Sequence, residues 1–283
     1  MFECRNCNSN EYKLVYQNLP DRLHQQGGSF DYVRCKTCGL FQIMKLPSNI
    51  SECYAGYGLH QQDSKIYSLF RKLIIGHCYP FLKSDGGKIL DIGCGNGWYL
   101  KEMEKRGWQP FGYEFDRDYA GKLSEQLDIP ILSGESALTE YPEYFDMITF
   151  NFSFEHLPNP KRMLDLARKA LKKEGWIFIS VPDIHGKEAS LFGKKWFHLD
   201  PPRHISFYGK NLLSNLLLET GFNHIQVKTC AIPTGFAGSI SYLLCGVFKP
   251  LIWLIIMPPG ILFSLFIRDG NFIISGTKVD KVG

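Results

Sequence analysis

The chain has 283 residues, of which 45% are hydrophobic and 21% are charged. This length exceeds the usual single-domain size of about 100 to 200 residues, so we expect one full domain and a smaller module, and the composition excludes a disordered chain. The net charge of +4 is spread over 32 basic and 28 acidic residues without a block of one sign, so nucleic acid is not an expected partner.

Two CxxC pairs lie near the start of the chain: Cys4 and Cys7, and Cys35 and Cys38. Four thiolates suit tetrahedral zinc, and such a closed site is structural because no position is left for water. Short strands are predicted over Tyr12–Gln17 and Asp31–Arg34. Residues 1–45 are therefore predicted to form a zinc ribbon. Unrelated buried cysteines are disfavoured by the paired spacing, and a redox pair by the lack of a βαβ context.

The other five of the nine cysteines are isolated in the sequence. An odd number of cysteines indicates a reducing compartment. The first residues lack the basic and apolar regions of an export signal. Both observations predict a cytoplasmic protein.

Residues 46–86 are predicted to be a linker followed by a packing helix. Pro47 and nearby glycines indicate a loop, and apolar residues recur at helical spacing over Ile66–Leu82. Tyr54 and Tyr57 are candidates to lie over a cofactor, and they are equally well interpreted as surface or hinge aromatics.

A short apolar strand, Lys88–Ile92, runs into three glycines and a predicted helix, Trp98–Arg106. The glycines are Gly93, Gly95 and Gly97. They allow the backbone to turn sharply and to approach a ligand closely, beside the positive end of the helix.

Two acidic residues indicate the ligand of this glycine loop. Asp91 directly precedes the first glycine, where it would repel a diphosphate but attract an ammonium group. Glu114 ends the next predicted strand, Gln109–Tyr113, where a carboxylate can bind ribose hydroxyls. An adenosine joined to an amino acid satisfies both positions, and S-adenosylmethionine (SAM) is such a molecule.

The segment Asp91–Gly97 resembles motif I of the class I SAM-dependent methyltransferases, and the resemblance extends over Gly87–Gly283. It implies an α/β, Rossmann-like, doubly wound sheet of seven strands with the last strand antiparallel. It also implies SAM as the cofactor and a set of SAM-binding residues: Asp91, Gly93, Gly95, Gly97, Glu114, Phe115, Glu135 and Asn151.

The zinc module joined to this core resembles a group that includes sugar methyltransferases and enzymes encoded among glycan-biosynthesis genes. The further C-terminal domain of the sugar C-methyltransferases is not found here, which weighs against C-methylation of a nucleotide sugar. The turn Glu155–Pro160 is similar to one in quinone O-methyltransferases that bind a divalent metal there and associate with membranes. Phe152 stands where that motif has its earlier acid, so no catalytic metal is predicted.

Candidate catalytic residues follow two strands of the predicted sheet. His156 comes after Phe145–Phe150, and a polar segment after Trp176–Val181 carries His198, Asp200, Arg203, His204 and Tyr208. Transfer to a hydroxyl needs a base near neutral pKa, which a histidine provides. Which histidine takes the proton stays open, and His156 is also interpreted as a turn-fixing residue. Arg203 would suit a phosphate or carboxylate on the acceptor.

The rest of the domain alternates helices with strands, as expected for a parallel sheet. Helices are predicted over Lys161–Lys172 and Asn211–Thr220, and strands over Ile225–Cys230 and Phe272–Val279. Between these last strands, residues 236–267 carry one charge, Lys249, with breaks at Pro250 and Pro258–Pro259.

Neither half of this apolar insertion clearly reaches the 20 or so residues that a membrane span needs. A helical hairpin dipping into one leaflet is predicted, and a hydrophobic lid or homodimer surface is the alternative. The predicted function is O-methylation of a glycan or lipid-linked (polyprenyl or isoprenoid) intermediate at the inner face of the cell membrane. The alternatives are a soluble nucleotide-sugar or small-molecule methyltransferase and a non-catalytic zinc-ribbon interaction protein.

Overall fold

A computed structural model describes residues 2–23, 25, 28–47, 53, 71, 76–80, 82–267 and 269–279. Tyr54 and Tyr57 lie outside the described residues, as does most of the helix predicted over Ile66–Leu82. Those two predictions stay predictions.

The strands of the described chain are β1 (Tyr12–Pro20), β2 (Ser29–Cys35), β3 (Phe41–Ile43), β4 (Lys88–Ile92), β5 (Gln109–Tyr113), β6 (Ile131–Leu132), β7 (Phe145–Asn151), β8 (Leu171–Pro182), β9 (Ser206–Phe207), β10 (Phe222–Cys230) and β11 (Asn271–Lys278). The α-helices are α1 (Trp98–Glu104), α2 (Arg117–Leu127), α3 (Glu135–Thr139), α4 (Pro160–Ala170), α5 (Lys187–Phe192), α6 (Lys210–Glu219), α7 (Pro233–Cys245) and α8 (Pro250–Ile267).

Seven strands form the main sheet, in the order β10-β11-β8-β7-β4-β5-β6. Neighbouring strands from β8 to β6 pair in parallel, and β11 is antiparallel to both of its neighbours. The predicted doubly wound sheet with an antiparallel last strand is confirmed. Because β4 and β7 are adjacent and parallel, with Asp91 opposite Thr149, the residues that follow them emerge at the same edge.

Helix α4 shows how the sequence covers this sheet. Its buried residues, among them Met163, Leu164 and Ala167, recur at helical spacing and pack into the main core. The helix begins after Asn159, whose side chain accepts a hydrogen bond from the Arg162 amide, and Pro160 occupies the first turn. The amphipathic pattern that predicted this helix is thus explained by burial against the sheet.

A second sheet has four strands in the order β1-β2-β3-β9. The first three come from the N-terminal 45 residues, whereas β9 belongs to the polar segment that follows β8. Phe41 pairs with Phe207, and Gln42 pairs with Ser206. The N-terminal module therefore shares a sheet with the larger domain, a connection that the sequence analysis did not predict.

The apolar insertion forms a helical hairpin of α7 and α8, as predicted. Helix α8 continues through Pro258 and Pro259, where the sequence analysis placed a break. Among the helices that the structure describes, none combines the length and apolar character that crossing a bilayer requires.

Cys78 and Cys230, two of the cysteines that are isolated in sequence, form a disulfide. They pack with Ile232 and Ile273 in a small buried cluster. The sequence analysis did not propose this pair, because the bond joins positions separated by 152 residues.

A buried ion network fastens the polar segment after β8 to the N-terminal module. The Arg203 side chain is fully buried, and its guanidinium donates to the carboxylates of both Asp21 and Asp200. The Tyr32 hydroxyl adds contacts to two carbonyl oxygens of the same segment, those of Leu199 at 2.9 Å and His204 at 2.7 Å. These contacts fix the backbone on both sides of His204.

Substitution of Arg203→Met should lower the free energy of unfolding by about 3 to 5 kcal/mol, because it leaves two buried carboxylates without their counter-ion. The matched control is Arg162→Met, which breaks a half-exposed ion pair to Glu135 and should cost about 1 kcal/mol or less. Denaturant unfolding of both variants measures the difference. Equal small losses would show that the buried network does not hold the segment.

Candidate functional site

A cleft of ≈ 570 Å³ opens at the carboxyl ends of β4 and β7. Its lining combines residues of the glycine loop, of the turn after β7, of the polar segment after β8 and of the hairpin. They include Asp91, Gly93, Cys94, Gly95, Asn96, Asn151, Phe152, Glu155, His156, Phe197, His198, Asp200, His204, Ile232, Phe248, Pro250 and Trp253.

The glycine loop is built for close approach of a ligand to its backbone. Gly95 has a φ of 59°, and an added Cβ there would meet no atom of the described chain within 4 Å. At Gly93, with a φ of 74°, an added Cβ would lie 2.5 Å from Cβ of Ser153. Gly93 is therefore required for packing, whereas Gly95 keeps open the space in front of the loop.

Asp91 lies at the floor of the cleft and is 2% exposed. One of its carboxylate oxygens accepts hydrogen bonds from the Thr149 hydroxyl at 2.7 Å and from the Asn151 amide at 2.9 Å. Burial raises the pKa of Asp91 to about 7, although both hydrogen bonds oppose this rise. A cation placed against Asp91 would favour its ionised form.

Glu114 supports the glycine loop from beneath. Its carboxylate accepts a hydrogen bond from the Gly95 amide, and the Tyr119 hydroxyl donates to the Gly95 carbonyl at 2.9 Å. Burial raises the pKa of Glu114 to about 7. Glu114 directly follows β5 and lies next to the loop, but it is not among the residues that line the cleft.

The remaining predicted cofactor residues divide into two groups. Asn151 lines the cleft and contacts Asp91, and Gly97 caps helix α1 beneath the loop. Phe115 is 52% exposed, and Glu135 forms a surface ion pair with Arg162. Neither Phe115 nor Glu135 is among the cleft-lining residues.

Three side chains that can bind a proton or a metal meet in the cleft: Glu155, His156 and His204. One ligand atom of each lies within 4.8 Å of the others. Nδ1 of His204 is 2.6 Å from the His198 carbonyl, and Nδ1 of His156 is 3.0 Å from the Arg203 carbonyl. Backbone carbonyls of this kind orient imidazole rings at metal sites and catalytic sites.

The ionisation of this cluster is governed by its burial. The Glu155 carboxylate oxygens have no hydrogen-bond partner within the described part of the chain, and burial raises the pKa of Glu155 to about 8. Burial lowers the pKa of His156 and of His198 to about 4 each, and that of His204 well below its ordinary value. All three imidazoles are therefore neutral at physiological pH, and burial makes each of them a weaker base than the near-neutral histidine that the sequence analysis expected.

This cluster is also chemically suited to a divalent metal, since two imidazoles and a carboxylate are common ligands of first-row ions. The sequence analysis considered a metal at the Glu155–His156 turn and set it aside because of Phe152. It could not find His204 as a third partner, because His204 is far along the chain and reaches the turn only through the fold.

Two predicted catalytic residues lie outside the cleft. Arg203 is fully buried with its donors engaged by Asp21 and Asp200, so it is not placed to bind an acceptor anion. Tyr208 is 1% exposed and packs against Phe154 at 5.4 Å between ring centroids. In the structure both residues belong to the scaffold of the site.

Sequence reasoning missed the apolar wall of the cleft. Phe248, Pro250 and Trp253 belong to the hairpin and Phe197 to the polar segment, and all four line the cleft. The rings of Phe197 and Phe248 are 5.9 Å apart, which joins the two elements. The apolar composition of the insertion was visible in the sequence, but its position beside the glycine loop was not.

The four cysteines of the N-terminal module converge at a separate place, with their sulfurs all within 4.8 Å of one another. Sγ of Cys4 is 3.5 Å from that of Cys38, and Sγ of Cys7 is 3.6 Å from that of Cys35. A zinc ion about 2.3 Å from each sulfur gives tetrahedral edges of about 3.8 Å. The thiol spacing is therefore compatible with tetrahedral zinc.

Comparison with known proteins agrees with this geometry. Residues 67–227, more than half of the chain, match the family described as "Methyltransferase domain". Curated relatives include the ubiquinone biosynthesis O-methyltransferase of Idiomarina loihiensis, 34% identical over 34% of this chain and 42% of that protein. The enzyme of the same name from Nitrosomonas europaea is 30% identical over 43% of this chain and 56% of that protein. The chain spans about half the length of these relatives.

Solved structures share the fold at low identity. A SAM-dependent methyltransferase from Archaeoglobus fulgidus aligns with a TM-score of 0.52 and 19% identity over 80% of this chain and 99% of that chain. Phosphoethanolamine N-methyltransferase 2 of Haemonchus contortus, bound to SAM, aligns with a TM-score of 0.51 and 16% identity over 77% of this chain and 53% of that one. The family match, the sheet order and the glycine loop together show that this chain belongs to the SAM-dependent methyltransferase domain family.

Proposed function

We propose that this chain transfers a methyl group from SAM to a hydroxyl oxygen of a glycan or lipid-linked acceptor, at the inner face of the cell membrane. The observation that carries this proposal is the composition of one cleft. A glycine loop with a buried carboxylate, a cluster of neutral histidines and an apolar wall from the hairpin all line the same space.

The methyl donor is assigned to the β4 end of the cleft. Asp91 would attract the ammonium group of SAM. The open space in front of Gly95 would accept the amino-acid part of SAM, and Glu114 is the candidate to bind the ribose hydroxyls. SAM is thus assigned to the part of the cleft that the glycine loop lines. Its sulfonium methyl is the reactive group.

The acceptor hydroxyl is assigned to the side where Glu155, His156 and His204 lie. Its oxygen attacks the methyl carbon in line with the sulfur, so that an O–C bond forms as the C–S bond breaks. The hydroxyl proton passes to a neutral imidazole, His156 or His204, and S-adenosylhomocysteine leaves. His198, whose carbonyl accepts from the His204 ring, is a positioning residue in this scheme.

Two observations favour a lipid-linked acceptor over a soluble one. Phe248, Pro250 and Trp253 give the cleft an apolar wall, and the curated relatives are named for O-methylation in ubiquinone biosynthesis. A soluble nucleotide-sugar or small-molecule methyltransferase remains the second candidate, with the hairpin as a lid or dimer surface. The intact glycine loop and buried acids disfavour a non-catalytic interaction protein.

The apolar hairpin is proposed to dip into one leaflet of the membrane. Side chains more than half exposed along α7 and α8 are Leu243, Leu244, Leu251, Leu254, Ile255, Leu262 and Phe266. Exposure of these apolar side chains to water is unfavourable in free energy, whereas their contact with the acyl chains of a lipid leaflet is favourable. An acceptor held in the bilayer would then lie close to the cleft.

The cysteine cluster of Cys4, Cys7, Cys35 and Cys38 is proposed to bind structural zinc. Beside the sulfur spacing, the support is the position of Cys4 and Cys35, which are buried in the same core as the main sheet. Without metal, four thiols would face one another at this end of the module, which its contacts with the larger domain do not cross-link.

SAM should bind about tenfold more tightly at pH 8 than at pH 6, because ionisation of Asp91, with a pKa of about 7, creates the charge that attracts the ammonium. Asp91→Asn should weaken binding at pH 8 and remove most of this dependence, and Glu114→Gln isolates the part due to the second acid. Isothermal titration with SAM, and with NAD as the control ligand, measures both effects. Wild-type affinity in both variants would contradict the cofactor assignment.

With methyl-labelled SAM, the protein should label a component of a bacterial lipid extract. The labelled product should be a methyl ether, which mild alkali does not cleave. Asp91→Asn is the control and should leave the extract unlabelled. Nucleotide sugars are tested in parallel, because labelling of these alone would establish the soluble alternative. Label released by mild alkali would indicate a methyl ester and contradict O-methylation of a hydroxyl.

Purified protein should contain at least one zinc per chain, and Cys35→Ser should lose that zinc and melt at a lower temperature. The expected loss is large, because zinc binding at such sites contributes on the order of 10 kcal/mol to folding. Cys94→Ser, a buried cysteine outside the cluster, is the matched control. Equal zinc content in the two variants, measured by atomic emission, would rule out the ribbon site.

A further inference from the structure

We infer that a collar of three lysines beside the turn of the hairpin binds the phosphate groups of an anionic bilayer. The collar consists of Lys194, Lys195 and Lys249, and the buried Arg22 joins the first two to the turn. This inference rests on the proposed membrane docking of the hairpin and adds the type of lipid that the protein selects.

The apolar tip of the hairpin is the first observation. Leu243 and Leu244 end α7, and Leu251, Leu254 and Ile255 begin α8, so that the exposed leucines converge at the turn between the two helices. Lys249 is exposed in that turn. A leaflet that accepts the leucines would therefore bring its headgroups level with this lysine.

The other two lysines are joined to the same turn by Arg22. The Arg22 carbonyl accepts a hydrogen bond from the Phe248 amide at 3.1 Å, and Nη1 of Arg22 donates to the Lys194 carbonyl at 2.6 Å. The Arg22 guanidinium lies 5.7 Å from the ring centre of Tyr242 in α7. Arg22 of the N-terminal module therefore contacts both the segment after α5 and the hairpin, beside the turn between α7 and α8.

The three lysines of the collar are not neutralised by the protein. No carboxylate within the described ranges lies in ion-pair distance of Lys194, Lys195 or Lys249, whereas Lys101, Lys105, Lys169, Lys172 and Lys210 each have an acidic partner. Like charges gathered without a counter-ion cost free energy, and an external anion removes that cost. An anionic surface satisfies the charges and the adjacent leucines together.

The collar also lies at the entrance to the cleft. Leu23 follows Arg22 and lines the cleft, as do Phe248, Pro250 and Trp253 beside Lys249. A phosphate held by the collar would therefore lie next to the apolar wall along which an acceptor enters. Binding of an anionic phospholipid at this position would orient the protein so that the entrance of the cleft faces the membrane.

The test is flotation of the full chain with vesicles of phosphatidylcholine, alone or with about 30% phosphatidylglycerol. Binding should be strong only with phosphatidylglycerol and should weaken as salt is raised. Since each surface cation adds roughly a factor of five to binding of an anionic membrane, the double variant Lys194→Ala with Lys195→Ala should bind roughly 30-fold more weakly. Lys122→Ala with Lys228→Ala removes the same charge from α2 and β10 and should bind like wild type.

The possible outcomes separate the collar from the hairpin and from the enzyme. Equal binding to both vesicle types, or equal losses in the two double variants, would overturn the collar while leaving hairpin docking intact. Leu251→Asp with Leu254→Asp should abolish binding to every vesicle. Binding of wild type to no vesicle would overturn both membrane inferences, and SAM titration of the same preparation would show whether the methyltransferase assignment survives. Release by millimolar inorganic phosphate at constant ionic strength would assign the collar to a free anion instead.

Discussion

The parallel pairing of β4 with β7 is the constraint on which the site depends. It places the buried carboxylate of Asp91 beside Thr149 and Asn151, and it sends the chain after β7 directly to Glu155 and His156. The two ends of the cleft, which we propose hold the methyl donor and the acceptor, are therefore set by two neighbouring strands. Side chains from more distant parts of the chain complete the lining of the cleft. They can do so because the carboxyl ends of β4 and β7 are adjacent.

The polar segment after β8 is the main addition, and it is shaped by groups outside the larger domain. Its backbone joins the N-terminal sheet through β9, its carbonyls contact Tyr32, and its arginine is neutralised by Asp21. His204 thereby enters the cleft in a defined orientation. The apolar side chains of the segment, such as Trp196 and Phe207, are buried in one cluster with Tyr32 and Phe41 of the N-terminal module, which also holds the segment in place.

The strand, glycine loop and helix around Asp91 could be predicted from the sequence because the interactions that define them are local. Apolar patterns likewise indicated β7, β8, β10 and β11, whereas the two-residue strand β6 was not predicted. The partners of Arg203 could not be predicted, because Asp21 lies 182 residues earlier and a lone arginine in a polar loop looks like a ligand-binding residue. The meeting of Glu155 with His204, and the entry of Trp253 into the cleft, depend in the same way on long-range packing that no local pattern records.

The shared sheet limits how this protein can be divided or recombined. A fragment starting at residue 46 would leave the backbone of β9 without its partner strand β3 and would remove Asp21, one of the two carboxylates that pair with Arg203. Exchange of the segment that surrounds His204 between related enzymes would meet the same obstacle, since a foreign segment would have to fit β3, Tyr32 and Asp21. Changes in acceptor preference that act through this segment therefore require matching changes in the N-terminal module, and the two regions are expected to be inherited as one unit.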